Sequence, residues 1–122
     1  MARISGKAGS VDTGSGAIAG IKTWTIDYKI AALDDTGFDS SGVKMFIPGL
    51  SEWNGTFDGF KDGAPIALGS VATLTLKESQ TAGQVATGAC IITSWKPKVD
   101  VAGVVTYVYD FQGTGTLTVP TA

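Results

Sequence analysis

A chain of 122 residues and 12.5 kDa has room for one domain, and that domain is large enough to fold without disulfides or metals. The 43% hydrophobic and 16% charged residues exclude a disordered chain, while a net charge of −2 with scattered basic residues argues against nucleic-acid binding. Histidine is absent, which removes the commonest general base and zinc ligand. Cys90 is the only cysteine, and we predict that it is a small buried apolar residue.

The first third of the chain contains a small-residue segment, a strand and a loop. Residues 1–20 include the glycine-rich run 12–20, and we predict that this segment is an extended N-terminal arm. Residues 21–30 alternate strictly between apolar and polar, which predicts a half-buried strand with Trp24 and Tyr28 on its core face. Residues 33–50 show no clear periodicity and contain the turn-forming pair Pro48-Gly49, so we predict a long loop.

The rest of the chain is a series of short alternating runs separated by turn signals. We predict strands at residues 52–60, 71–77, 85–95, 104–110 and 111–119. Residues 65–69 have room for one helical turn at most. With a short strand at residues 3–11 in the arm, about seven strands with such spacing predict a single all-β domain over residues 1–122, built as a two-sheet β-sandwich or barrel.

Aromatic side chains dominate the apolar positions of these strands. In residues 52–60, Trp53 and Phe57 share one face with Gly55 and Gly59, which favours close packing of rings against another backbone. A sugar-binding platform is the alternative interpretation of such aromatic faces, but strict alternation favours a core. We therefore predict six core aromatics: Trp24, Tyr28, Trp53, Phe57, Trp95 and Phe111.

Residue patterns typical of catalysis or metal binding are weak. Asp34, Asp35 and Asp39 suggest a calcium loop, but the order of oxygen ligands does not fit an EF-hand, and turn formation explains the same residues. The glycines at positions 14, 16 and 20 do not have the spacing of a dinucleotide fingerprint, and a strand follows them. We predict no catalytic residue, no metal and no cofactor, and therefore no enzyme.

Two stretches resemble the major tail tube proteins of long-tailed bacteriophages. The first is GIKTWTIDYKIAALDDTGFDSSGVKMFIPGLSEWNGTFDGF, in which a tryptophan-bearing strand leads to a Thr-Gly-Phe loop and then to an "fipGl..w.Gtf.G" pattern. The second is GVVTYVYDFQGTGTLTV, which is similar to the last hairpin of that family and its "F-x-G-T-G-x-L" strand. The family usually has an amphipathic helix after the "Gtf.G" strand, and residues 61–70 here are too short for one.

The resemblance implies a structural virion protein whose β-sandwich subunits form hexameric rings, stacked into the tube through which DNA is ejected. The long loop would then contact a neighbouring ring through Asp34, Asp35, Phe38, Met45, Phe46, Ile47, Pro48 and Leu50. The implied partners are further copies of the chain, the tape measure and the terminator, with DNA passing the lumen without specific binding. The implied location is the phage tail, assembled in the bacterial cytoplasm without a membrane anchor. A capsid decoration protein or another virion ring protein of the same fold and, more remotely, a carbohydrate-binding module remain alternatives.

Overall fold

The computed structural model describes residues 3–14 and 17–121, and these residues form one antiparallel sheet of six strands. The strands are β1 (Ser10–Asp12), β2 (Ile21–Asp34), β3 (Phe46–Phe60), β4 (Val71–Lys77), β5 (Val85–Lys98) and β6 (Thr106–Gly113). Their order across the sheet is β1-β4-β5-β6-β3-β2. The helical structure in the described part of the chain consists of two 3-10 turns, Gly6–Ala8 and Phe38–Ser40. The all-β prediction is confirmed.

Strand β5 divides this sheet into two layers. Its residues 85–91 pair with β4, whereas its residues 90–98 pair with β6. We call β2, β3, β6 and the second half of β5 the four-stranded layer, and β1, β4 and the first half of β5 the small layer. The predicted two-sheet arrangement is therefore present as a single hydrogen-bonded ladder whose strand β5 serves both layers.

The two layers lie against each other at the ends of the strand order. Strands β1 and β2 are farthest apart in the ladder, yet they are in contact. The indole Nε1 of Trp24 in β2 donates a hydrogen bond to the Lys77 carbonyl oxygen at the end of β4, over 3.2 Å. The sheet is thus folded over on itself, and its inner faces enclose one core.

That core is aromatic in the four-stranded layer and aliphatic in the small layer. The Phe57 and Tyr109 rings stack with centroids 5.1 Å apart, and Trp53 meets Phe111 edge to face at 6.0 Å. Val11, Leu74 and Leu76 come from β1 and β4, and Ile92 and Cys90 come from β5. Burial raises the pKa of the Cys90 thiol to about 11, which agrees with the predicted role of a buried apolar residue.

The six predicted core aromatics divide into two groups. Trp53, Phe57 and Phe111 are buried, and Trp24 is half-buried against the core. Tyr28 and Trp95 were wrongly predicted as core residues, because their side chains are 46% and 38% exposed in the single subunit. Alternation identified the correct face of each strand, but the small layer does not extend over these two positions.

The predicted long loop at residues 33–50 is mostly strand. Strands β2 and β3 pair as far as Asp34 and Phe46, so that the connecting loop is reduced to residues 35–45. Pro48 lies opposite Ala32 within β3, and the predicted Pro48-Gly49 turn is therefore wrong. Proline is tolerated here because β3 pairs with β6 only from Asn54 onward, which leaves one edge of the strand free.

Both ends of the chain differ from their predicted structure. Within the predicted arm, the short strand predicted at residues 3–11 is reduced to Ser10–Asp12, which pairs with β4, and Val11 is fully buried in the subunit's own core. Met1, Ala2, Ser15 and Gly16, which belong to the predicted arm, lie outside the described residues. The predicted last strand at 111–119 is not a separate strand, because Phe111 belongs to β6 and only Thr118 bridges, to Thr87. Residues 61–70 form turns without a helix.

Candidate assembly surface

The end of the β2–β3 hairpin projects beyond the rest of the subunit. Strand β6 pairs with β3 only as far as Asn54, so residues 30–51 have no third strand beside them. We call residues 30–51 the distal hairpin. At about 3.3 Å per residue, the part of β3 within it is about 20 Å long, and the connecting loop extends further. No residue of this segment belongs to the hydrophobic core or packs against it.

Apolar side chains cover both faces of the distal hairpin. Leu33 pairs with Ile47 on one face, while Phe46 and Pro48 point to the other, since neighbouring residues of a strand alternate. The large exposed apolar residues of this segment are Ile30, Leu33, Phe38, Val43, Met45, Phe46, Ile47 and Leu50. An isolated two-stranded hairpin is marginally stable in water, and a contiguous apolar surface marks an interaction site. The distal hairpin is therefore a candidate interaction surface.

All eight residues predicted to contact neighbours lie in the distal hairpin. Asp34 and Phe46 form the last strand pair, Ile47 follows, and Asp35 donates its backbone N–H to the Met45 carbonyl oxygen over 2.7 Å. Phe38 stands fully exposed on the 3-10 turn of the tip. Leu50 is 89% exposed on β3. Their role in contacts between subunits remains a prediction.

Hydrogen bonds of Thr36 connect the two sides of the tip. Thr36 Oγ1 accepts the Met45 N–H over 2.9 Å, and Asp34 Oδ1 accepts the Thr36 N–H over 2.8 Å. The hydrogen bonds from Thr36 lower the pKa of Asp34, so this carboxylate is ionised at neutral pH. Ser41 and Gly42 adopt the left-handed conformation (φ 55° and 79°) that closes the turn. An ordered tip loses little entropy on docking.

The three carboxylates of the tip do not form a metal site. Among residues 3–14 and 17–121, no group of three or more His, Cys, Asp or Glu side chains is arranged to hold a metal ion. The Asp34 carboxylate already accepts the Thr36 hydrogen bond.

No helix in the described part of the chain is long and apolar enough to cross a membrane.

The four-stranded layer has an unpaired edge on each side. Among the described residues, strand β2 pairs only with β3, which leaves its other edge without a strand partner. On the opposite side, residues 94–98 of β5 pair with β6 but have no partner on their other edge among the described residues. Free edges of this length are templates for pairing with another chain unless something covers them.

The outward face of the four-stranded layer is polar, with several of its charges paired. Asp110 accepts hydrogen bonds from Thr56 Oγ1 over 2.7 Å and from Lys96 Nζ over 2.8 Å. The Lys96 and Thr56 donors lower the pKa of Asp110. Lys29 lies between Asp27, at 3.8 Å, and Glu52, at 3.4 Å. Such a face offers few unpaired cations to a phosphate backbone.

Comparison with known proteins identifies the fold. No family model matches the sequence, and no curated protein matches it. A chain in the tail of an empty gene transfer agent particle, with C6 symmetry, superposes with a TM-score of 0.76 at 19% identity, over 96% of this chain and 98% of that one. A chain in the virion of a native gene transfer agent particle gives 0.78 at 17% identity, over 95% and 98%.

The third similar structure is the SPP1 tail tube, with a TM-score of 0.69 and 13% identity over 93% of this chain and 77% of that one. At identities below 25%, these superpositions establish the fold alone. The high coverage shows that the likeness extends over nearly the whole domain. The chain therefore has the fold of the bacteriophage tail tube proteins.

Proposed function

We propose that this chain is the structural subunit of a virion tail tube, in which closed hexameric rings stack end to end. The observation that carries the proposal is the pair of free edges on opposite sides of the four-stranded layer, in a fold found in one particle tail, one virion and one tail tube. The C6 symmetry of one similar tail supports six subunits per ring. No catalytic or cofactor role belongs to this proposal.

Strand direction favours ring closure through these edges. Across the layer, β5, β6, β3 and β2 are antiparallel in succession, so β2 runs opposite to β5. Rotation about a ring axis preserves direction along that axis, so the β5 of one subunit would lie antiparallel to the β2 of the next. An even number of strands thus continues the same antiparallel pairing around the ring. Closure removes the free edges that make a single subunit prone to aggregation.

The distal hairpin supplies the contact between rings in this proposal. It projects along the strand direction, which is the direction of the ring axis if the layers close into a barrel. Its apolar faces, with Phe46 and Leu50 exposed, need the cover that a neighbouring ring would give. The residues of the 3-10 turn Phe38–Ser40 at the tip would reach farthest.

The polar face of the four-stranded layer would line the lumen. Net charge is −2, and Lys29 and Lys96 are paired with carboxylates, so DNA would pass without specific binding. The tape measure and terminator proteins are the further partners proposed, and the virion tail, assembled in the bacterial cytoplasm, is the proposed location.

Negative-stain electron microscopy of the purified chain tests this function directly. We expect rings of six subunits and, at higher protein concentration, tubes. A protein that stays monomeric at high concentration would contradict the proposal. Trimers without tubes would favour a capsid decoration protein instead, since that role needs no closed ring of sheets.

A further inference from the structure

A groove lies at the end of β2 opposite the distal hairpin. It has a volume of about 610 Å³ and opens between the start of β2, the first 3-10 turn and the end of β4. The side chains that matter among its lining residues are Ile4, Lys7, Lys22, Trp24, Lys77 and Glu78. Here the start of β2 lies near β1 and the end of β4 without pairing with them as a strand.

The groove combines positive charge with apolar surface. Three lysines and one glutamate line it, a formal balance of +2. Within the described residues the ion pairs of lysines involve Lys29 and Lys96, and none involves a lysine of the groove. Lys22 Nζ lies 5.2 Å from the centroid of the Phe60 ring, a contact that leaves the positive charge of the ammonium group unneutralised. Ile4 is exposed and Trp24 half-buried.

The tip of the distal hairpin has the complementary properties. Asp34, Asp35 and Asp39 with Lys44 give the segment 34–44 a formal balance of −2. The Phe38 ring is fully exposed at its end and has no core to enter in its own subunit. The hydrogen bonds of Thr36 with Asp34 and Met45 are made within the subunit and need no second copy.

We propose that this groove receives the tip of the distal hairpin of a second copy of the chain. Because the groove is at the first residues of β2 and the tip follows its last residue, the contact joins copies head to tail. A contact of this kind does not close on itself, and it therefore propagates into a filament. The inference rests on the proposed function and names the surface on which one ring would hold the next.

A charge exchange tests the pairing. Lys7→Glu with Lys22→Glu reverses the groove, and Asp35→Lys with Asp39→Lys reverses the tip. We expect each double variant alone to form rings with at least about tenfold fewer tubes, since like charges then face each other. A mixture of the two variants should recover tubes, because each reversed groove meets a reversed tip. Lys61→Glu, outside the groove, is the control that should keep tube formation.

Engineered cysteines locate the contact. Chains carrying both Ile4→Cys and Phe38→Cys should form a ladder of disulfide-linked multimers in assembled tubes, while chains with one of the two should not. A ladder formed instead by Ile4→Cys with Val101→Cys, in the exposed turn between β5 and β6, would overturn the proposal. If the groove variant forms tubes at the wild-type level, the proposed groove contact is wrong, although the proposed tail tube function still stands. Wild-type protein without rings or tubes would refute the function itself.

Discussion

The indole of Trp53 lies against the backbone of Gly113. A Cβ atom built on Gly113 would overlap the Cδ2, Cε2 and Nε1 atoms of the ring, and one on Gly88 would meet Cζ2 at 2.7 Å. The same indole donates its N–H to the Gly115 carbonyl oxygen over 3.2 Å. The Trp53 side chain is therefore surrounded by its own strand β3, by β5 and β6, and by the C-terminal segment. This packing requires glycine at positions 88 and 113, because a larger residue would overlap the ring.

Gly113→Ala should destabilise the subunit severely. The added methyl group has to displace the Trp53 ring or bend β6, and overpacking of this kind costs about 1–3 kcal/mol or more. Chemical denaturation followed by tryptophan fluorescence measures the change. Gly6→Ala is the matched control, because no atom lies within 4 Å of the Cβ it would add. Equal stability of the two variants would contradict the packing described.

Trp24→Phe should loosen the contact between the two layers. It removes the hydrogen bond to the Lys77 carbonyl oxygen, which is worth about 1 kcal/mol, together with some buried ring surface. Hydrogen exchange should accelerate in β1, which is the short outer strand of the small layer. Tyr28→Phe, an exposed ring on the same strand, should leave stability within about 0.5 kcal/mol of the wild type.

Phe46→Lys or Leu50→Asp should block tube formation while the subunit stays folded. Both side chains are exposed, so a charge costs the free subunit little but cannot be buried in an apolar contact. Electron microscopy reports the assembly, and circular dichroism with thermal melting reports the fold. Val119→Asp, an exposed apolar residue outside the hairpin, should still assemble. If the hairpin variants form tubes, the assignment of this surface is wrong.

The Cys90 thiol should resist thiol reagents in the folded subunit. It is fully buried, and its pKa is raised from 9.0 to about 11 because burial disfavours the thiolate. The corresponding stability is present below pH 9 and is lost as pH rises toward 11, since the unfolded chain ionises first. Labelling rates should follow the free energy of unfolding measured by denaturant, and fast labelling of native protein would contradict the burial.

Sequence reasoning succeeded where a local pattern has one structural meaning. Alternation placed Trp53, Phe57 and Phe111 in the core, and glycine spacing anticipated the close packing. The same alternation continued to Tyr28, because a strand pattern shows which face is apolar but not how far the opposing layer extends. Only the coverage by β1 and β4 decides that, and it depends on contacts between residues distant in the chain.

The assembly surface was predicted in the right region with the wrong structure. Pro48 and Gly49 form a turn signal locally, yet pairing with β2 keeps both in a strand. Exposed Phe46, Ile47 and Leu50 on a hairpin are a stronger indication of an interface than they would be on a loop, because strand geometry fixes where they point. The basic groove at the other end was not predicted, since its lysines come from three separated segments.

The continuity of β2 has a consequence for the dimensions of a tube. One uninterrupted strand of 14 residues joins the groove to the projecting hairpin, a length of about 46 Å at 3.3 Å per residue. The axial spacing between successive copies would then be set by the number of residues in this hairpin. Removing two facing residues from each strand of the hairpin should shorten that spacing by about 7 Å or less, according to strand tilt, with the ring circumference unchanged.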